Sequence, residues 1–306
     1  MRIAILGAGA IGQLLAHQLA DCGEFPLLLV RPEHTPCRGQ DTYHIESDQQ
    51  RRAHTFQWLS TTADNQAFSE IELLIVTLKA YQVPTVLPEL LPKLPLSCHV
   101  LLLHNGLGSH SKIIPLLNGR GLSLGTTSQG ALRQTPQQIR HTGKGLTQFG
   151  PIAGPMMSAP LKLLLLKAIP DSEWCDDILQ ALWEKLAVNA AINPLTAIDN
   201  VPNGTLAAER YQQTIKMVIN ELVSIAHLEG ISLHCDKLLL RVNKVIELTA
   251  KNYSSMQQDL QHGRPTEIDA INGYLVQLAQ QHGIEAPMNQ LLTQKIKQLS
   301  HLADAL

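Results

Sequence analysis

The stretch Ile3-Ala4-Ile5-Leu6-Gly7-Ala8-Gly9-Ala10-Ile11-Gly12, followed by a helix-like run from Leu14 to Leu19, decides the fold. Four apolar residues in succession make a strand buried on both faces, and such strands belong to parallel sheets covered by helices. The three glycines then have separate tasks. Gly7 permits a tight turn, Gly9 lets backbone come close to an anion, and Gly12 packs helix against strand. A helix that starts here directs unsatisfied amides and the positive end of its dipole at that anion. Strand, loop and helix in this order predict a dinucleotide site with Gly7, Ala8, Gly9, Ala10, Ile11 and Gly12 as its phosphate loop.

Working outward, short apolar runs recur at Leu27 to Val30, Leu73 to Leu78 and Val100 to Leu103, alternating with helix-like stretches. This alternation predicts a doubly wound sheet. The polar, irregular stretch from Thr42 to Ser60 reads as short strands or loops, and the Gly- and Pro-rich stretch from Gly143 to Ala159 as turns and edge strands. From about Asp176 the apolar residues recur at steps of three and four, as in Ile178, Leu182 and Leu186 and in Ile268, Ile271, Leu275 and Leu278. The expected architecture is α/β: an N-terminal Rossmann-type doubly wound parallel sheet over 1–172 and a second, all-helical domain over 173–306. A chain of 306 residues suits two domains.

Hydrophobic residues make up 44% and charged residues 16%, a globular balance. Net charge is −2 and the basic residues form no run, which argues against nucleic acid and acidic membrane surfaces as partners. A small molecule is the expected partner, on a monomer or homodimer. The five cysteines, Cys22, Cys37, Cys98, Cys175 and Cys235, are widely spaced and never arranged C-x-x-C, so neither a disulfide framework nor a metal site is expected. The apolar opening breaks into glycines after a strand's length, and no later apolar run approaches the roughly 20 residues of a membrane span. The chain reads as cytoplasmic.

The strand Leu27 to Val30 should end near the adenosine ribose, where an acidic residue would select NAD. Arg31 stands there instead. A guanidinium pairs with a 2′-phosphate through two parallel hydrogen bonds, which favours NADP(H), while Glu33 two residues on keeps NAD open. The strand ends at Lys79 and Asn105 point at the same crevice, although Lys79 also reads as a surface charge and Asn105 as a turn former.

In the second half, Lys185, Asn189 and Asn193 lie four residues apart on an otherwise apolar helix, which stacks them in one stripe. An ammonium there could donate a proton to the alkoxide that forms when hydride reaches a ketone. A structural reading pairs Lys185 with Glu184 or leaves it to solvent. Pro194 directly after Asn193 predicts a helix end at a site wall.

These features resemble the ketopantoate reductase (2-dehydropantoate 2-reductase) family almost end to end. The likeness rests on the Gly7 to Gly12 loop, Thr77-Leu78-Lys79-Ala80, His104-Asn105-Gly106, Gly125-Thr126-Thr127, Lys185-Leu186-Ala187-Val188-Asn189 and Asn193-Pro194-Leu195-Thr196-Ala197. It continues through Asn203-Gly204, Ser254-Ser255-Met256 with Asp259, Thr266-Glu267-Ile268-Asp269 and Asn272-Gly273. The resemblance implies NADPH-dependent reduction of 2-dehydropantoate to pantoate, on the way to pantothenate and coenzyme A. It implies Lys185 as general acid and Glu267 as the acidic partner close to Lys185, substrate and nicotinamide. Asn105, Lys185, Asn189, Asn193, Asn203, Asn252 and Ser255 match substrate positions, and Arg31, Lys79, Asn105, Ala131 and Glu267 match cofactor positions.

The chain departs from the family pattern at Ser128-Gln129-Gly130 and at Asp199, where an apolar or aromatic residue is common. In purely structural terms, Ser254-Ser255 caps a helix and Glu267 sits in a first turn. Two other functions fit the same architecture: a reductase of another branched 2-keto acid, and a non-catalytic NADPH sensor. Intact Lys185 and Glu267 disfavour the sensor.

Overall fold

Ile3–Leu6 forms strand β1 with all four side chains buried, so the opening apolar run becomes the centre of a sheet. The computed structural model describes residues 2–31, 38–47 and 50–304; Glu33 and Cys37 lie outside them. The chain divides into two units. One runs to His104 and again from Ser109 to Ile178, and the other comprises Asn105–Gly108 and the chain from Leu179 onward.

In the first unit, β1 is followed by helix α1 (Ala10–Asp21), β2 (Leu27–Val30), β3 (Arg38–Ser47), β4 (Gln50–Ser60), β5 (Leu73–Val76), α2 (Val83–Leu90) and β6 (His99–Leu103). Then come α3 (Ser109–Ile113), β7 (Leu122–Thr127), β8 (Gly130–Thr135), β9 (Gln138–Gly143), β10 (Thr147–Ala153), α4 (Ala159–Ala168) and β11 (Ser172–Trp174). The sheet order is β11-β10-β7-β6-β5-β1-β2-β4-β3-β9-β8. Its parallel centre, β4-β2-β1-β5-β6-β7, reverses direction of winding between β1 and β5. That is the doubly wound arrangement expected from sequence, and ligands of such sheets bind where the winding reverses, beyond the carboxyl ends of the strands. β5 and β6 are buried along their whole length, as parallel strands covered on both faces must be.

The stretch from Thr42 to Ser60 differs from expectation. It is most of a long antiparallel hairpin, β3 with β4, rather than short strands or loops. Buried Tyr43 and Ile45 alternate with outward polar residues on β3, and buried Phe56 and Trp58 do so on β4. Alternation of this kind marks a sheet with one wet face, and exposed His, Thr, Arg and Gln diluted the pattern. Helix α1 packs against β3, β8 and β9 as well as β1, and its Leu14 joins Ile45 of β3 and Ile139 of β9 in a small buried cluster.

The second unit holds helices α5 (Ile178–Asp199, from Leu179), α6 (Glu209–Leu228), α7 (Cys235–Leu248), α8 (Ser255–Gln261), α9 (Asn272–Gln281) and α10 (Pro287–Asp304), and no strand among the described residues. On α6, Tyr211, Ile215, Val218, Ile219, Leu222 and Ile225 form the buried stripe, and each fully buried aliphatic contributes about 1.5–3 kcal/mol. Contrary to expectation, α5 does not end at Pro194. It continues to Asp199 and stops where Asn200 takes a left-handed conformation (φ 52°) ahead of Pro202. An interior proline leaves the carbonyl four residues earlier without its helical donor, and the side-chain amide of Asn272 supplies one to Ala190 O at 3.1 Å.

At the glycine loop, space is the constraint. A methyl group on Gly12 would stand 2.0 Å from Gly7 O and 2.6 Å from Thr77 Oγ1, whereas one on Gly9 would meet nothing within 4 Å. Gly12→Ala is therefore expected to lower stability by about 1–3 kcal/mol, and Gly9→Ala by well under about 1 kcal/mol, in urea unfolding. Equal losses would refute this assignment of the two glycines.

Candidate active site

Gly7 leaves β1 at φ +108°, a conformation that favours glycine, and its carbonyl accepts a 2.6 Å hydrogen bond from the Thr77 hydroxyl at the end of β5. The loop is thereby fastened to the neighbouring strand at the point where the winding reverses. Gln13 ties it on the other side by donating to Ala8 O (2.9 Å) and to Pro136 O (2.8 Å) in the β8–β9 turn. Helix α1 begins at Gly9 with no side-chain cap and no acidic residue in its first turn. Its amide end and the open space over Gly9 fit a pyrophosphate.

Arg31 follows the last residue of β2 and is exposed, and Lys79 follows β5 with its backbone N–H donating to Gln82 Oε1. With β1, β2 and β5 parallel, the glycine loop, Arg31 and Lys79 share one edge of the sheet. Ala131 of β8 packs against the small buried cluster of Leu14, Ile45 and Ile139. The departure at Ser128-Gln129-Gly130 has its own local use. Gln18 on α1 donates to Gln129 Oε1 (2.7 Å), and Gln129 in turn donates to Thr147 Oγ1 (3.1 Å), both pairs buried.

The second unit gathers a separate set of polar side chains. Glu267, only 5% exposed, accepts a hydrogen bond from Asn105 Nδ2 at 3.2 Å. Asn105 is held there by its own short segment, for Leu107 N donates to Ala270 O (2.9 Å) and Gly106, at φ +77°, leaves no room for a Cβ against Ala270. Lys185 on α5 feels the same carboxylate. Burial pushes its ammonium down from 10.5 to about 8, and the negative charge of Glu267 opposes that fall. The alternative of a Lys185–Glu184 pair is not what the fold adopts, because Glu184 takes Arg241 and Gln180.

Asn189 and Asn193 follow Lys185 on α5, Asn193 buried and Asn189 partly so. One turn on, Thr196 Oγ1 lies 3.0 Å from Asn193 O and 2.8 Å from Ser254 Oγ. Ser254 caps α8 by accepting from Gln257 N, so the capping reading holds for Ser254, while exposed Ser255 is the first helical residue. Asn203 donates through Nδ2 to Thr249 Oγ1 (2.9 Å) and through its backbone to Asn252 O (2.9 Å), leaving a buried Oδ1 with no hydrogen bond. A buried acceptor left unpaired costs about 1–3 kcal/mol, a cost that a ligand donor would remove. Asp199 accepts the Tyr211 hydroxyl, which gives the departure at that position a structural partner. Gln13 and Thr249 were not among the residues read from sequence, and Thr77 and Thr196 stood there only within family motifs, since their partners Pro136, Asn203, Gly7 and Ser254 lie far along the chain.

The sequence profile of the family described as ketopantoate reductase PanE/ApbA matches residues 3–154, and that of its C-terminal domain matches residues 177–300. The chain belongs to this family. It is 38% identical to the 2-dehydropantoate 2-reductase of Vibrio cholerae, covering 98% of each chain, and 34% identical to that of Pyrococcus horikoshii, covering 97% of each. Among solved structures, a PanE/ApbA family ketopantoate reductase from Ralstonia eutropha superposes with a TM-score of 0.86 at 27% identity, covering 99% of this chain and 100% of that one. A D-mandelate dehydrogenase bound to NADH and anilino(oxo)acetate shares the fold, with a TM-score of 0.90 at 23% identity over 99% of each chain. No helix among the described residues is long and apolar enough to cross a membrane.

Heteronuclear NMR of the Lys185 side-chain ammonium is expected to report a midpoint near 8. Glu267→Gln removes the charge that holds the value up, so its midpoint should be lower still. A midpoint near 10.5, or an upward shift in the variant, would contradict the burial and pairing described.

Proposed function

We propose that this protein reduces 2-dehydropantoate to pantoate with NADPH. The observation that carries the reading is Lys185, whose half-buried side chain is placed within the influence of Glu267 on a helix lined by amide side chains. NADPH, when bound, supplies the hydride that reaches the carbonyl carbon. Lys185 then gives its proton to the carbonyl oxygen as negative charge develops there, and recovers a proton from solvent after product leaves. With a pKa of about 8 the amine is protonated roughly ten to one at pH 7, yet is about 300-fold more acidic than an ordinary lysine. Both conditions suit a general acid working near neutrality.

Glu267 keeps that proton available by opposing the effect of burial, and Asn105 orients its carboxylate by donating to it. Asn189, Asn193, Asn203, Asn252 and Ser255 are neutral groups that suit the carboxylate and hydroxyl of a small hydroxy keto acid, and the open acceptor of Asn203 suits a hydroxyl donor. Gly7 to Gly12, Lys79, Asn105 and Ala131 are the groups that would hold the dinucleotide. Arg31, exposed beyond β2, supports NADP(H) over NAD(H), because a guanidinium and a 2′-phosphate make two parallel charge-assisted hydrogen bonds.

Steady-state assays should give a higher kcat/KM for 2-dehydropantoate than for 2-oxoisovalerate. In the same assays Lys185→Ala should lower kcat by about 10²–10⁴ while NADPH still binds, measured by nucleotide fluorescence. Preference for 2-oxoisovalerate would move the assignment to another 2-keto acid reductase, and unchanged kcat in the variant would remove Lys185 from the mechanism. Arg31→Ala should weaken NADPH at least about tenfold more than NADH, the size of a charge-assisted hydrogen bond. Equal weakening of the two would rule out a 2′-phosphate contact.

A further inference from the structure

Helix α5 carries Lys185, Asn189 and Asn193 on successive turns, and Pro194 follows the last of them. A proline in a helix interior costs about 3 kcal/mol, through a lost hydrogen bond and a clash of its ring with the carbonyl four residues back, and it bends the helix there. That carbonyl belongs to Ala190, which lies between Asn189 and Asn193. How the backbone recovers at this point sets the direction in which Asn193 leaves the helix relative to Lys185 and Asn189.

The missing donor is replaced through a relay that crosses the unit. Asn272, wholly buried as the first residue of α9, donates from Nδ2 both to Ala190 O (3.1 Å) and to Asn289 Oδ1 (2.9 Å). Asn289, equally buried, donates from its own Nδ2 to Glu221 Oε2 at 2.7 Å. Glu221 of α6 also accepts the backbone N–H groups of Met288 and Asn289 in the first turn of α10 (2.8 and 3.0 Å). A carboxylate only accepts, so Glu221 forces the amide of Asn289 toward itself. The oxygen of Asn289 then faces Asn272, and the amide of Asn272 is left to serve Ala190. The direction of every hydrogen bond in the relay follows from the one charge at its end.

We propose that Asn272 is a positioning residue for the substrate-facing stripe of α5, acting through the Ala190 carbonyl that Pro194 leaves without a helical donor. The proposal rests on the reading of Asn189 and Asn193 as substrate contacts. It does not require Asn272 to touch substrate or cofactor.

The test is a double-mutant cycle in the full-length protein with Asn272→Ala, Pro194→Ala and their combination, reading KM for the keto acid, kcat and the Kd of NADPH. Asn272→Ala is expected to raise KM about tenfold with the Kd of NADPH changed less than about twofold, as for the loss of one buried hydrogen bond in the substrate half alone. An alanine at 194 restores a helical N–H, so adding Asn272→Ala to Pro194→Ala should change KM less than about twofold. Equal fold-losses in the two backgrounds, or an unchanged KM in folded Asn272→Ala, overturn the proposal. If Asn272→Ala does not fold, the double variant is expected to fold, and its failure to do so also overturns it. A wild type that prefers a different 2-keto acid defeats the substrate assignment alone, because the cycle is then read with that acid. Should no 2-keto acid be reduced, the same non-additivity is expected in urea unfolding, where an additive cycle overturns the proposed donor.

Discussion

The approach of Gly12 to the carbonyl of Gly7 is the constraint on which the first unit depends. No side chain fits between them, and the Thr77 hydroxyl closes the gap from the adjacent strand by donating to the same carbonyl. Because α1 starts that close to β1, its amide end opens beyond the carboxyl edge of the sheet, where the winding reverses. The long hairpin and the β8–β9 pair pack on α1 as well, and Gln13 fastens the loop to the β8–β9 turn. The loop's geometry follows from packing and from neutral hydrogen bonds of Thr77 and Gln13, and among the described residues no acidic or basic side chain is seen to hold it.

The second unit solves the opposite problem, since it must keep charge in a place poor in water. An ammonium that is buried tends to shed its proton, and a carboxylate brought close tends to keep it there. Lys185 lies between these tendencies. Its acidity is therefore set by two separable features, the depth of α5 in the unit and the position of Glu267, and Asn105 fixes the second by donating to one carboxylate oxygen.

How far the sequence could be read depended on the range of the interactions. Continuous apolar strands and the glycine spacing are local, so the parallel centre and the loop were plain. Lys185 and its stripe stood out because polar residues at helical spacing interrupt an apolar background. The β3–β4 hairpin was obscured by the polar residues on its wet face. The passage of α5 through Pro194 could not be foreseen from nearby residues, because the compensating donor lies 82 positions beyond the Ala190 carbonyl that it serves. The same holds for Asp199, whose acceptor role becomes visible only with Tyr211 beside it.

Asn105–Gly108 belongs to the second unit although the chain on both sides of it belongs to the first. The hydrogen bond from Asn105 to Glu267 spans 162 positions, and the Leu107–Ala270 bond anchors the same four residues. The helical unit is therefore not encoded by one continuous stretch. A fragment cut at the start of α5 would contain Lys185 and Glu267 but not the amide that orients the carboxylate. During synthesis Asn105 emerges long before its partner, so this part of the site is completed only by a late, long-range closure. Closing so long a loop pays its chain entropy before the contact forms, so this hydrogen bond cannot exist until Glu267 has been made.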